Sequence, residues 1–144
     1  MLILEQVKNK LGDKVIDIKI DTPRRVYLTL RPKDIREATR VLFKVLGFRF
    51  ITATGIDTPK GFEILYHFSY DRAGMILSVK VLIEDKKEAS IDSLATLFPG
   101  AEWIEREMWE MLGINFTGHP DMKRLLLNED WPEGKFPLRH EHES

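Results

Sequence analysis

Between Arg49 and Ile83 the chain holds three strand-like runs, Arg49 to Ile56, Phe62 to Ser69 and Met75 to Ile83, with little between them. The connectors are Thr58-Pro59-Lys60-Gly61 and Asp71-Arg72-Ala73-Gly74, rich in the residues that set turn backbone. Strands joined by turns pair with each other, so this stretch predicts an antiparallel sheet that the rest of the chain must cover. Upstream, Ile16, Ile18 and Ile20 alternate with Asp17 and Lys19, and Val26, Leu28 and Leu30 alternate with Tyr27 and Thr29. With Asp21-Thr22-Pro23 between them, they read as a further hairpin.

The covering elements have helical spacing. Ile3, Val7 and Leu11 share one face, and Gly12 can end that helix. Pro32 suits a first turn, Ile35, Ala38, Leu42, Val45 and Leu46 make an apolar stripe, and Gly47 comes next as a left-handed cap. Two more helices are expected over about Ser93 to Phe98 and Ala101 to Leu112, divided by Pro99-Gly100. The order αββαβββαα gives an α+β class, a mainly antiparallel sheet flanked by helices. We read residues 1–112 as the α+β domain, with its most distinctive helix at 101–112, and 113–144 as an irregular docking segment of the same domain.

Composition narrows the function classes. With 22 basic and 23 acidic residues, the net charge of −1 offers no field to attract phosphate backbones or anionic lipid, so no nucleic-acid partner is expected. Without cysteine the chain can form no disulfide, thiolate nucleophile or thiolate-held iron–sulfur cluster. Met1-Leu2-Ile3-Leu4-Glu5-Gln6-Val7-Lys8 does not have the pattern of a secretory signal, and no export is expected. Charges interrupt even Met75 to Ile83, well short of the ~20 apolar residues that span a bilayer. Membrane association is therefore expected only through partner proteins.

The densest stretch runs from Trp103 to Pro120. Ala101, Ile104, Met108 and Met111 form a core stripe by spacing, and Glu102, Arg106 and Glu110 form an i,i+4 ladder that reads as solvated. Trp103 and Trp109 lie off that stripe on a charged helix, which points to a partner surface. Gly113, Gly118 and Pro120 then give irregular backbone presenting Phe116 and His119. Farther on, Lys123 and Arg124 lead into Leu125-Leu126-Leu127, and these leucines with Trp131, Phe136 and Leu138 make the stretch more apolar than a free terminus. Such a segment drapes over its own domain or docks on a neighbour, and docking on a neighbour is the favoured expectation.

Ser93-Leu94-Ala95-Thr96-Leu97-Phe98-Pro99-Gly100-Ala101-Glu102-Trp103, then Glu105-Arg106-Glu107 and Gly113-Ile114-Asn115-Phe116-Thr117-Gly118-His119-Pro120, resemble the signature of the C-subunit family of respiratory complex I. Lys123-Arg124-Leu125-Leu126, Trp131 and Pro137-Leu138-Arg139 continue it in order and rough spacing. Up to Ser90 the resemblance is one of element order. Trp109-Glu110 and His140 depart from the family pattern, which has an aromatic residue with aspartate at the first place and commonly lysine at the second. The resemblance implies an accessory protein without a redox centre on the hydrophilic arm of complex I, or of a related energy-converting hydrogenase, peripheral on the cytoplasmic side of the membrane. It would pack beside the large catalytic subunit and near the small iron–sulfur subunit.

On this reading no residue is catalytic and no cofactor or metal is held. Glu105, Arg106 and Glu107 would form a partly buried charge cluster. Arg124 and Arg139 would reach carboxylates on the large subunit, with Phe116, Trp131 and Leu138 as apolar anchors. Trp103, Gly113, Gly118, His119, Pro120 and Pro137 complete the signature. The four histidines, His67, His119, His140 and His142, are too scattered for the three or four converging ligands zinc needs. His67 reads as a surface strand residue, and His119 as a structural hydrogen-bonding group that could reach Glu105 or Glu107. The rival is a small stand-alone enzyme using Glu107, Glu110 or His119, although no Gly-x-Ser-x-Gly, His-Glu-x-x-His or phosphate loop is present.

Overall fold

The structure is a computed structural model that describes residues 2–122 and 136–139. Its centre is the antiparallel meander of β3 (Arg49–Thr58), β4 (Gly61–Tyr70) and β5 (Met75–Ile83). The first turn is closed by Thr58, whose hydroxyl donates to the Gly61 carbonyl at 2.7 Å and accepts from the Gly61 N–H at 3.2 Å. Gly61 has φ +152°, and a Cβ there would lie 2.3 Å from the Ile83 carbonyl oxygen, so the close approach of β4 and β5 needs glycine.

β1 (Val15–Thr22) and β2 (Arg25–Leu30) form the expected hairpin. Helix α2 (Ile35–Arg40) and a π turn (Val41–Val45) then carry the chain across the sheet, giving the order β1-β2-β5-β4-β3. β2 is parallel to β5, and the other described pairs in this sheet are antiparallel. β1 and β3 thus become the two edges.

One sheet face is buried. Val26, Leu28, Ile64, Phe68, Leu77 and Val79 form it, joined by Val7 and Leu11 of helix α1 (Leu2–Leu11) and Leu42 after α2. The opposite face carries half-buried Leu65, His67 and Lys80, and His67 Nδ1 meets Ser78 Oγ at 2.8 Å. Alternation of this kind lets an antiparallel sheet meet water on one side.

Three local expectations change. The π turn adds a residue to the helical repeat and rotates the positions after it, so Val45, expected in the stripe, is 52% exposed. Ser93 to Phe98 forms a turn, with the Phe98 N–H donating to the Leu94 carbonyl at 2.8 Å, and helix α3 begins at Pro99 and ends at Leu112. The segment after Gly113 is not wholly irregular. β7 (Asn115–Thr117) pairs in parallel with β6 (Ser90–Asp92), and the Ser93 N–H extends the ladder to Thr117 at 2.9 Å.

Candidate functional site

Helix α3 follows the register Ala101, Glu105, Met108, Leu112, all buried. The offsets 4, 3 and 4 are those of one helical face, and its second position is a glutamate. Glu105 is 1% exposed in the core stripe, so the helix is rotated from the Ala101, Ile104, Met108, Met111 face expected from apolar residues alone. The rotation takes Arg106 and Glu110 inward, to 9% and 3% exposure, which overturns the solvated ladder. It turns Trp103 and Glu107 outward, and Trp103 is 56% exposed. The expected cluster of Glu105, Arg106 and Glu107 therefore loses Glu107, while Arg106 lies over the Trp103 ring at 5.7 Å.

A buried glutamate is tolerable here because of the turn before the helix. The Ser93 hydroxyl donates to Glu105 Oε1 at 2.5 Å, and the Leu94 N–H donates to Oε2 at 2.8 Å. Ser93 Oγ also accepts from the Ala95 N–H at 3.1 Å, and the Ser93 carbonyl accepts from Arg36 Nη1 at 3.0 Å. Glu105 therefore ties the β6 loop, α2 and α3 together. Burial pushes its carboxyl above the usual range, against the opposing pull of Leu94, Ser93, His119 and Arg36.

A raised pKa in the folded chain means that it keeps a proton over a pH interval in which the unfolded chain, with its ordinary value of 4.5, has released it. The stability contributed by this group is complete below about 4.5 and is lost as pH rises through the raised value. Glu105→Gln cannot titrate and is expected to flatten that part of the curve in urea unfolding as pH rises above about 4.5. An unchanged slope in the variant would contradict this assignment.

His119 closes the cluster from the other side. Nε2 donates to the Glu102 carbonyl at 2.9 Å, and Nδ1 accepts from the Asp121 N–H at 3.0 Å, so the ring proton is on Nε2. Nε2 also lies 3.9 Å from Glu105 Oε1, and both side chains are buried. The histidine fastens the chain after β7 to the first half of α3. Gly118, in the left-handed region at φ +84°, is exposed beside it, as is Pro120.

At the other end of α3, Arg139 serves its own chain. Its Nε donates to the Leu112 carbonyl at 2.6 Å and Nη2 to the Lys86 carbonyl at 3.1 Å, with its guanidinium over the Phe62 and Phe136 rings at 5.0 and 4.8 Å. A cation here satisfies carbonyls at a helix C-terminus, where the dipole favours positive charge. Burial pulls the Arg139 pKa down, and the Asp57 carboxylate, itself paired with Lys86, pulls it up. Gly113 has φ +79°, and a Cβ there would meet Phe136 Cε2 at 2.6 Å, so glycine lets the turn dock. The Leu138 N–H completes the dock on the Met111 carbonyl at 2.9 Å.

Two expected anchors are thus used internally. Phe116 is 5% exposed and belongs to the core through β7, and Arg139 binds backbone carbonyls of its own chain instead of a partner's carboxylates. Leu138, 53% exposed, and exposed Pro137 remain on the surface. Arg124, Trp131, His140 and His142 lie outside the described residues. Sequence reading missed Ser93 and Arg36, whose parts here come from folding; the signal available was a glutamate at a core position of α3.

For the enzyme alternative, Glu110 is buried while Glu107 is exposed, so the two do not converge, and both His119 nitrogens are engaged. Among the described residues no group of three or more His, Cys, Asp or Glu is placed to hold a metal, and no helix is long and apolar enough to cross a membrane.

A family model described as the respiratory-chain NADH dehydrogenase 30 Kd subunit matches residues 28–144. The C subunit of the NADH-quinone oxidoreductase of Sinorhizobium medicae is 39% identical over 93 residues, covering 62% of this chain and 44% of that protein. That of a Chelativorans species is 32% identical over 139 residues, covering 92% of this chain and 67% of the relative. The chain spans about half the length of several curated relatives, 44% and 49% in two of them. Among solved structures, a chain of the membrane-bound sulfane sulfur reductase, an archaeal respiratory membrane complex, superposes with TM-score 0.84 at 25% identity, covering 96% of this chain and 82% of that one. A trypsin-resistant fragment of Nqo5 shares the fold, with TM-score 0.69, 23% identity and coverage of 83% and 98%. Likeness thus reaches into the sheet, where sequence reading saw only element order. With the buried signature and these matches together, the chain belongs to the family of the respiratory-chain NADH dehydrogenase 30 Kd subunit.

Proposed function

We propose that this chain is a cofactor-free accessory subunit on the hydrophilic arm of a membrane-bound, complex I-like oxidoreductase, an NADH or quinone dehydrogenase or an energy-converting hydrogenase. It supports assembly by holding the large catalytic subunit and the small iron–sulfur subunit in register. It sits on the cytoplasmic side, peripheral to the membrane and attached only through partners. Electrons pass through other chains, since this one has no cysteine to ligate a cluster.

The observation that carries this reading is the inverted character of α3. Its charges Glu105, Arg106 and Glu110 turn inward, while Trp103 and Leu138, the latter docked beside the helix end, are more than half exposed. A large aromatic outside a helix with buried charge fits a contact surface, because tryptophan anchors interfaces well. Trp103 therefore takes the place of Phe116 and Arg139 among the proposed anchors, and Leu138 keeps its place. Arg124 and Trp131 keep that role, and residues 113–144 remain the docking segment, with β7 fastening its start to the domain.

The test uses cells lacking the native gene, complemented with Trp103→Ala/Leu138→Ala. Both positions are exposed, so the isolated variant should unfold in urea like the parent, while the membrane complex on native gels should fall about tenfold, from the loss of two anchor contacts. Full assembly with the double variant would count against this surface.

A further inference from the structure

We propose that the outer edge of β3 receives an extended segment of a neighbouring subunit as an added strand. This rests on the assembly reading above and goes beyond it by naming the element that is joined and the chemistry of the joining segment.

The sheet has two edges, and the sequence treats them differently. β1 carries Asp17, Lys19 and Asp21, all exposed, and its register with β2 is irregular between Val15 and Asp17 and again between Ile20 and Thr22. Charges and bulges are the devices that keep an edge strand from pairing. β3 has one register shift, between Phe50 and Thr52, and its charged residues, Arg49 and buried Asp57, stand near its ends; from Thr52 to Ile56 it reads Thr-Ala-Thr-Gly-Ile, without charge, and its register with β4 is regular from Thr52 to Thr58. Among the described residues no strand pairs with its outer side. Backbone groups facing that side have the geometry to continue the ladder.

The surroundings specify the occupant. Between Thr52–Gly55 of β3 and helix α3 lies a cleft of ≈300 Å³ lined by Ile104, Met108, Met111 and Leu138. The charged side chain in its wall is exposed Glu107. A strand along β3 directs alternate side chains to one face, so the segment that fits carries small or apolar residues toward the cleft and a lysine or arginine level with Glu107. Leu138 lines the cleft and is held by its N–H bond to Met111, so the C-terminal turn is part of the receiving surface.

Hydrogen exchange over residues 50–57, in the isolated chain and in the purified complex, tests the proposal. Fast exchange of the amides not bonded to β4 is expected in the isolated chain, with slowing of at least about tenfold in the complex. Thr54→Lys with Ile56→Asp places on β3 the charges that β1 carries, at two exposed positions. This pair should leave the melting of the isolated chain unchanged and remove the slowing; Thr54→Lys alone serves if the pair lowers the melting temperature. Protection already present in the isolated chain would assign the edge to the chain's own residues 123–135 and overturn the proposal. Unchanged exchange in an intact complex would overturn it too and leave the assembly reading standing. Failure of the native chain to enter any complex would overturn both.

Discussion

Phe116→Ala is expected to destabilise the isolated chain by about 4 kcal/mol, within the range for truncating a buried phenylalanine. Phe116 pairs with Ile91 across β6 and β7, and both are buried in the same core as Leu112 and Ile114. Its removal leaves a cavity between the short parallel pair and the base of α3, where main-chain bonds on either side restrict collapse. Urea unfolding of the isolated chain reads the effect. A partner anchor would behave in the opposite way, with unchanged stability alone and weakened assembly, so the measurement separates the two roles.

Glu105→Ala is expected to cost about 3 kcal/mol, the scale for removing one partner from a buried charged hydrogen-bond network. The substitution strands the Leu94 N–H and the Ser93 hydroxyl, which donate to Oε2 and Oε1. It also removes the carboxylate beside His119, loosening both sides of α3 together. Glu105→Gln keeps the volume and one acceptor and should fall between alanine and the parent. Trp103→Ala, at an exposed position of the same helix, should stay within about 0.5 kcal/mol of the parent and serves as the internal comparison. A small loss for Glu105→Ala in urea unfolding would mean that the cluster does not hold the helix.

Much of the fold was legible because the signals are local. The alternation in β1 to β5, the turns at Thr58 to Gly61 and Asp71 to Gly74, and the Gly113 stop each depend on neighbours a few residues apart. Misread features depend on distant ones. β6 and β7 are three residues each and gain their pairing only after α3 brings them together. The face of α3 is not legible from apolar spacing, because the stripe of Ala101, Ile104, Met108 and Met111 passes over Glu105, whose partners Ser93 and the Leu94 N–H are brought to it only by folding. Arg139 was given to a partner because nothing in the sequence shows that its target is the carbonyl at the end of α3. The directions of the site residues, inward for Phe116 and Arg139 and outward for Trp103, were not legible.

Whether this chain works as part of a larger complex is read from a tagged copy purified from its own cells under conditions that keep membrane complexes intact. Mass spectrometry and sedimentation of the eluate give composition and size. Co-sedimentation with a large catalytic subunit, an iron–sulfur subunit and membrane subunits in fixed proportion is expected. Quantitative recovery of the chain alone, at the size of a single domain, would contradict it.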